Sequence, residues 1–114
     1  MSESSRLIAK LRDALTDDLR RPPWRGSPNP VAGHCYVASE ALFHLLGGRE
    51  AGITIYFIHH ENQPHWFLRD GSAVVLDPTA DQFATPVPYE QGRRTGFLTR
   101  EPSRRARVLM SRLV

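Results

Sequence analysis

The sequence predicts an α+β domain in which helices pack on a small antiparallel sheet. Near each end of the chain, apolar residues recur at the spacing of one helix face, which is typical of amphipathic helices. Between them lie runs of β-branched and aromatic residues separated by turn-forming residues, which indicate strands. The length of 114 residues and the apolar fraction of 40% are typical of one globular domain, 1–114, with a single hydrophobic core.

The first helix is expected to begin at Ser4 or Ser5, either of which can cap it, and to run to about residue 20. Its apolar stripe consists of Leu7, Ile8, Leu11, Leu15 and Leu19. The proline-rich segment 21–30 then interrupts regular structure, because each proline removes a backbone donor and restricts the residue before it. A second helix is expected over 35–46, where apolar residues cover a wide arc before a pair of glycines. That arc predicts a buried helix.

Three strands are expected in the middle of the chain, over 53–58, 64–69 and 73–76. The Asp70-Gly71 pair between the last two is a strong hairpin signal. A three-residue loop over 70–72 places His65 directly opposite Asp77, whereas a two-residue loop turns Asp77 to the other face. Only the three-residue loop places His65 and Asp77 on the same face of the sheet. In that register the opposite face is wholly apolar and consists of Trp66, Leu68, Val74 and Leu76.

The last third of the chain is expected to be mostly irregular before a final helix. Prolines and glycines interrupt residues 78–95, and a short strand is expected at 97–98. An arginine-rich helix is expected over about 101–113, with Pro102 and Ser103 in its first turn.

Composition excludes several classes of protein. No apolar run approaches the roughly 20 residues that span a bilayer, so no membrane contact is expected. Residues 1–6 lack the basic and then apolar pattern of a signal peptide, and a single cysteine cannot form an internal disulfide. We therefore expect a cytoplasmic location. The net charge of +3 is modest.

Cys35, the only cysteine, stands where a loop becomes a helix. A helix N-terminus favours a thiolate through its dipole and unpaired amides, and those amides can also donate to an oxyanion. His65 on one predicted strand can take the thiol proton, and Asp77 at the end of the next can hold the far imidazole nitrogen. We therefore predict a triad within a core spanning about 30–80, with Cys35 as nucleophile, His65 as general base and Asp77 as the residue that orients the base.

Other polar and aromatic side chains are candidates for the oxyanion hole or the walls of a cleft. They are Asn29, His34, Tyr36, His60 and Trp24. The segment 89–97 is rich in glycine and arginine. It is predicted to be either a substrate-side loop, in which Arg93 or Arg94 binds a carboxylate, or an ordinary solvated loop.

Three strings resemble the papain-like and transglutaminase-like cysteine hydrolase superfamily. They are Gly-His-Cys at 33–35, His-Trp-Phe-Leu at 65–68 and Val-Leu-Asp-Pro-Thr at 75–79. The resemblance covers less than half of the chain and implies a minimal member of that superfamily, with Cys35, His65 and Asp77 as its triad. It implies a thiol-dependent hydrolase or acyl transferase acting on an amide, peptide or thioester, with a peptide or protein substrate and no cofactor. Peptidase, deamidase and transglutaminase-like activities all remain open.

Two other functions remain open from the residues alone. A zinc site would draw on His34, Cys35, His59, His60, His65 and Asp77, although their spacing matches no common zinc signature. A non-enzymatic binding module would engage an acidic partner or nucleic acid through arginines late in the chain. These are Arg93, Arg94, Arg100, Arg104, Arg105, Arg107 and Arg112. A solvated helix face is the simpler explanation for them.

Overall fold

The computed structural model describes residues 2–19 and 34–113. Within them, the α-helices are α1 (Glu3–Ala14), α2 (Cys35–Leu45) and α3 (Arg104–Ser111). The strands are β1 (Thr54–His60), β2 (Gln63–Arg69), β3 (Val75–Leu76) and β4 (Arg93–Thr95), which form an antiparallel sheet in the order β3-β2-β1-β4. Helix α2 packs on β2, and α1 and α3 both contact α2. The predicted α+β class is confirmed.

Helix α1 differs from the sequence prediction at both ends. Its cap is Ser2, whose side chain accepts from the Ser5 amide at 3.1 Å, and not Ser4 or Ser5. The helix ends at Ala14 because Leu15 adopts an extended conformation, and a separate 3-10 turn follows at Asp17–Leu19. The Ala14 carbonyl accepts from the Arg112 side chain at 3.0 Å at this helix end.

Helix α2 begins at Cys35 as predicted and is buried along most of its length. Its buried residues are Cys35, Val37, Ala38, Ser39, Glu40, Ala41, Leu42 and Phe43. The chain leaves the helix through Gly47 and Gly48, whose φ angles of 98° and 66° are positive and suit glycine. The predicted wide apolar arc is therefore confirmed.

The β2–β3 hairpin has a register that neither predicted loop gives. Leu68 pairs with Leu76, and the Asp70 amide donates to the Val74 carbonyl at 3.0 Å, so the three-residue loop is 71–73 and not 70–72. The prediction that His65 lies directly opposite Asp77 is wrong by two positions. A shift by two preserves side-chain parity, so both residues still point to the same side.

The carboxylate of Asp70 explains this register. It accepts from the amides of Ser72 at 2.8 Å and Val74 at 3.0 Å, which places Asp70 at the base of the turn instead of within it. Ala73 closes the turn with a φ of 64°, in the left-handed region. Trp66, Leu68 and Leu76 lie in one apolar cluster as predicted, but Val74 precedes β3 and is 54% exposed, so it does not join them.

The fourth strand was not predicted. Arg93 pairs with Phe57, and Thr95 pairs with Ile55, at the edge of the sheet opposite β3. The strand predicted at 97–98 is not formed, and the Phe97 ring packs edge-on against Tyr36 with 5.2 Å between centroids.

The final helix begins later than predicted. Ser103 is its cap and accepts from the Ala106 amide at 3.3 Å, so Pro102 and Ser103 both precede the first turn. Among residues 2–19 and 34–113, no helix is long and apolar enough to cross a membrane.

The sheet carries apolar clusters on both faces. Trp66 and Leu68 belong to the larger cluster, which the helices cover. Phe67 belongs to a smaller cluster on the other face, with Ile58, Phe83 and Val87. Since His65 is two positions from Phe67 on β2, its side chain points toward this smaller cluster.

Strand β3 is only two residues long, which leaves part of the β2 edge beyond it. Two side chains of α2 use that edge. The Cys35 thiol lies 3.6 Å from the Pro64 carbonyl, and the Ser39 hydroxyl donates to the Trp66 carbonyl at 3.0 Å. The first turn of α2 therefore lies along the same stretch of β2 that carries His65.

Candidate active site

The thiol of Cys35 is at the first residue of α2, where the sequence predicted it. It is a free thiol whose residue is 7% exposed. Its contact with the Pro64 carbonyl places the sulfur beside the residue that precedes His65. Helix start, thiol and predicted base are therefore neighbours.

The imidazole of His65 is fully buried. Its Nε2 atom lies 2.6 Å from Oδ2 of Asp77, and its ring packs edge-on against Phe83 with 4.9 Å between centroids. The other ring nitrogen, Nδ1, is buried and makes no conventional hydrogen bond within the described residues. Because Asp77 occupies Nε2, Nδ1 is the ring nitrogen left for another partner.

Opposing effects set the protonation of His65. Burial lowers its pKa, but the hydrogen bond to Asp77, together with electrostatic interactions with Asp77 and Cys35, outweighs burial and raises the pKa from 6.5 to about 9. An imidazolium is therefore favoured at neutral pH. A cation beside a sulfur favours the thiolate, which is the nucleophilic form.

Asp77 follows the end of β3, and its side chain is nearly fully buried. Its Oδ2 atom accepts from His65 and also from the hydroxyl of Tyr89 at 2.8 Å. Its Oδ1 atom accepts from the Thr79 amide at 3.2 Å. The carboxylate that orients the imidazole is thus itself held at both oxygens.

Tyr89 was not identified from the sequence. It lies in a 3-10 turn, Tyr89–Gln91, within the stretch that was expected to be irregular. Burial, followed by the nearby Asp77 carboxylate, raises the Tyr89 pKa above its usual 10, so the hydroxyl stays protonated and remains a donor. Neither spacing nor residue type relates Tyr89 to Asp77 in the sequence.

A loop after β3 lies over His65, and we call residues 83–88 the covering loop. Its Phe83 ring contacts His65 and also His60, each at 4.9 Å between centroids. Glu61 holds the loop by accepting from the Ala84 amide at 3.2 Å and from the Thr85 amide at 2.8 Å. The β1–β2 turn is therefore fastened to the loop that covers the imidazole.

Two of the predicted cleft residues have specific contacts away from the sulfur. His34 is fully buried, and its Nε2 lies 2.9 Å from the Thr16 carbonyl. The Tyr36 hydroxyl accepts from the Leu98 amide at 2.7 Å, and its ring packs edge-on against Trp66 at 5.0 Å. These contacts tie the start of α2 to the chain after α1 and to the chain before α3.

The remaining cleft candidates divide into one that is near the triad and two that are not described. His60 lies behind Phe83, with Nε2 at 2.9 Å from the Thr85 hydroxyl. Asn29 and Trp24 lie outside the residues that the structure describes.

Arg93 and Arg94 lie on β4 and are exposed. The prediction that they belong to a loop is therefore wrong, because β1 recruits this segment as an edge strand. Strands β3 and β4 are the two edges of the sheet, so these arginines are at the edge opposite to Asp77.

The zinc alternative gains no support from the structure. Over 2–19 and 34–113, no three His, Cys, Asp or Glu side chains are grouped closely enough to hold a metal ion. His59 points away from the cluster around His60, and its ring packs on Phe57 at 5.0 Å.

The arginines in α3 and directly after it differ in their contacts. Arg112 pairs with Asp18 at 3.3 Å and donates to the Ala14 carbonyl at 3.0 Å, so it fastens α3 to the chain after α1. Arg104 and Arg107 are exposed.

No family model, curated protein or solved structure matches this chain.

Proposed function

We propose that this protein is a thiol-dependent hydrolase or acyl transferase, with Cys35 as nucleophile, His65 as general base and Asp77 as the residue that orients the base. The observation that carries this proposal is the 2.6 Å contact between His65 Nε2 and Asp77 Oδ2, beside a thiol that helps to raise the His65 pKa. The order of the three side chains is that of a nucleophile, a base and a base-orienting carboxylate. The earlier resemblance makes a minimal papain-like or transglutaminase-like enzyme the preferred class.

The reaction begins with the sulfur as a thiolate and His65 as an imidazolium. The thiolate attacks the carbonyl carbon of an amide or thioester and forms a tetrahedral oxyanion. His65 then gives its proton to the departing amine or thiol, and the carbonyl re-forms as a thioester on Cys35. Water or an amine next loses a proton to His65 and attacks that thioester, which releases the acyl group and restores the thiolate and the imidazolium.

The oxyanion has a natural position at the start of α2. Cys35 is the first residue of the helix, so its own amide lies where helical amides have no partner within the helix. A backbone amide beside the nucleophile can donate to the developing charge, and the helix dipole adds to that stabilisation. Asn29 remains a predicted second donor.

Access to the sulfur requires movement. Cys35 is 7% exposed and His65 is buried, so a carbonyl reaches the thiolate only when a covering segment shifts. The covering loop packs on His65 through Phe83, so its movement would uncover the imidazole. A peptide or protein substrate in an extended conformation suits a site at the edge of a sheet. We place the activity in the cytoplasm, where a free thiol stays reduced.

The proposal is tested by acylation with a small activated ester or thioester, followed by intact-protein mass spectrometry. Wild type should form an acyl adduct on Cys35 that turns over, Cys35→Ser should form no thioester, and His65→Ala should form the adduct much more slowly. Adding a simple primary amine separates the outcomes, since an amide product indicates transfer to the amine and a free acid indicates hydrolysis. Equal rates for wild type and His65→Ala would contradict the proposal.

A second candidate function is the binding of an acidic protein or nucleic acid through α3. The exposed side chains of Arg104 and Arg107 favour it. Such binding weakens as salt rises, because the contacts are electrostatic. Titration with an acidic peptide and with RNA at several salt concentrations tests it, using a double Arg104→Gln and Arg107→Gln variant as the control.

A further inference from the structure

The hydroxyl of Tyr89 donates to the same carboxylate oxygen that receives His65. We propose that Tyr89 is a positioning residue of the site, which acts on the imidazole through Asp77. This inference rests on the proposed function of Cys35, His65 and Asp77.

The contacts of Asp77 support a positioning role. Oδ2 accepts from His65 Nε2 at 2.6 Å and from the Tyr89 hydroxyl at 2.8 Å, while Oδ1 accepts from the Thr79 amide at 3.2 Å. A single bond to each oxygen would still let the carboxylate tilt. The third donor fixes the plane of the carboxylate, and with it the direction in which His65 Nδ1 points.

Contacts of its ring and its backbone carbonyl fix the position of Tyr89, and so the direction of its hydroxyl. Its ring packs edge-on against Phe67 at 4.9 Å, and its carbonyl accepts from Arg69 at 3.2 Å and from the Gly92 amide at 3.0 Å. A β-carbon at position 92 would come within 2.6 Å of the Phe67 ring, so only glycine permits this close approach. The turn therefore rests directly on Phe67.

The protonated hydroxyl of Tyr89 also bears on which ring nitrogen of His65 carries the hydrogen. Because Tyr89 and the Thr79 amide both donate to Asp77, the carboxylate is left as an acceptor toward His65. The hydrogen of the neutral imidazole must then be on Nε2. Nδ1 carries the lone pair that accepts the thiol proton, which is the form a general base needs.

Tyr89→Phe tests the inference, because it removes the hydroxyl and keeps the ring. We measure the rate of Cys35 alkylation by iodoacetamide against pH. At about pH 6, where only a paired thiol reacts readily, we expect about fivefold slower labelling than in wild type, and little change at about pH 9. Tyr56→Phe is the matched control, since Tyr56 stacks on the same Phe67 at 5.5 Å without contacting Asp77.

A double-mutant cycle separates positioning from general packing. If Tyr89 acts through Asp77, then adding Tyr89→Phe to Asp77→Asn should change the pH profile no further. A merely structural role would slow or speed labelling at every pH and would add to the effect of Asp77→Asn. Additive effects, or a profile for Tyr89→Phe that matches wild type or moves to lower pH, would overturn the inference.

Labelling His65→Ala in the same series shows which of the two proposals fails. If His65→Ala leaves the profile unchanged, the proposed function itself is wrong. If His65→Ala abolishes labelling at low pH but Tyr89→Phe behaves as wild type, only the role of Tyr89 is wrong.

Discussion

Asp77 reaches His65 diagonally across the end of the β2–β3 hairpin, with 2.6 Å between Oδ2 and Nε2. The two residues are not strand partners, because the observed register pairs Leu68 with Leu76. A diagonal contact of this kind requires β3 to end at Leu76, so that the chain can turn and carry the Asp77 carboxylate toward β2. The short third strand also opens the β2 edge on which Cys35 lies.

The His65–Asp77 pair should make stability depend on pH. Burial lowers the His65 pKa, but Asp77 and Cys35 raise it to about 9, so the folded protein keeps a proton that the unfolded chain releases above about pH 6.5. The resulting stabilisation is complete below about pH 6.5 and is lost as pH rises through about 9. We expect urea denaturation of wild type to show a loss of about 1–3 kcal/mol in the free energy of unfolding over this range.

Asp77→Asn provides the comparison for this pH effect. The variant removes the charge that supports the imidazolium and keeps a side chain of similar size, so its stability should fall less steeply with pH. Parallel stability curves for wild type and Asp77→Asn would show that the pair does not hold the proton.

Glu61 should control access to the site through the covering loop. Its carboxylate accepts from the Thr85 amide at 2.8 Å and from the Thr85 hydroxyl at 2.6 Å. Thr85→Val removes one of these donors with little change in volume, so the loop should open more often. We expect Cys35 alkylation to become about three to ten times faster at every pH, with no shift of the profile along the pH axis. An unchanged rate in both Thr85→Val and Glu61→Gln would contradict a gating role.

Glu40 should be important for joining α2 to α3. It is fully buried, and its carboxylate accepts from the Ser103 amide at 2.8 Å and from the Ser103 hydroxyl at 2.6 Å. Glu40→Gln removes the charge that strengthens both hydrogen bonds and replaces one of the two acceptor oxygens with an amide donor. We expect a loss of about 2 kcal/mol in the free energy of unfolding, measured in urea. The exposed Glu50→Gln is the control, and an equal effect of both changes would refute the role of Glu40.

Replacing Ala73 in the hairpin turn with glycine should stabilise the protein. Ala73 adopts a φ of 64°, where a β-carbon is unfavourable. Relief of that strain should exceed the entropy that glycine adds to the unfolded chain, so we expect Ala73→Gly to raise the free energy of unfolding by about 0.5 kcal/mol. Ala9→Gly, on the exposed side of α1, should instead lower it by about 1 kcal/mol. Destabilisation by Ala73→Gly would contradict this account of the turn.

The sequence was sufficient to predict the α+β class and the contact between two of the three candidate residues, His65 and Asp77. Residue type and order indicated Cys35, His65 and Asp77, and alternation along the strands correctly placed the last two on one side of the sheet. The register itself was missed because the Asp70 side chain bonds two amides of its own turn, which loop length alone does not reveal. Alternation along the strands predicts which side of the sheet a residue faces, but the hydrogen bonds of the Asp70 side chain set the register of the hairpin.

Tyr89 and β4 were beyond prediction for a different reason. The Tyr89 hydroxyl reaches Asp77 through a turn held on Phe67, which is a tertiary contact with no spacing rule. Strand β4 contains two arginines and little strand propensity, and it is extended because the edge of β1 offers it backbone partners.

The central claim is that His65 activates the thiol of Cys35, and the pH dependence of alkylation tests it most directly. Iodoacetamide labelling of wild type should reach half of its maximal rate well below the free cysteine pKa of about 8.5. In His65→Ala the half-point should return to about 8.5. Comparing profiles and not absolute rates removes the effect of burial on access. Identical profiles centred near about 8.5 in both proteins would contradict the account.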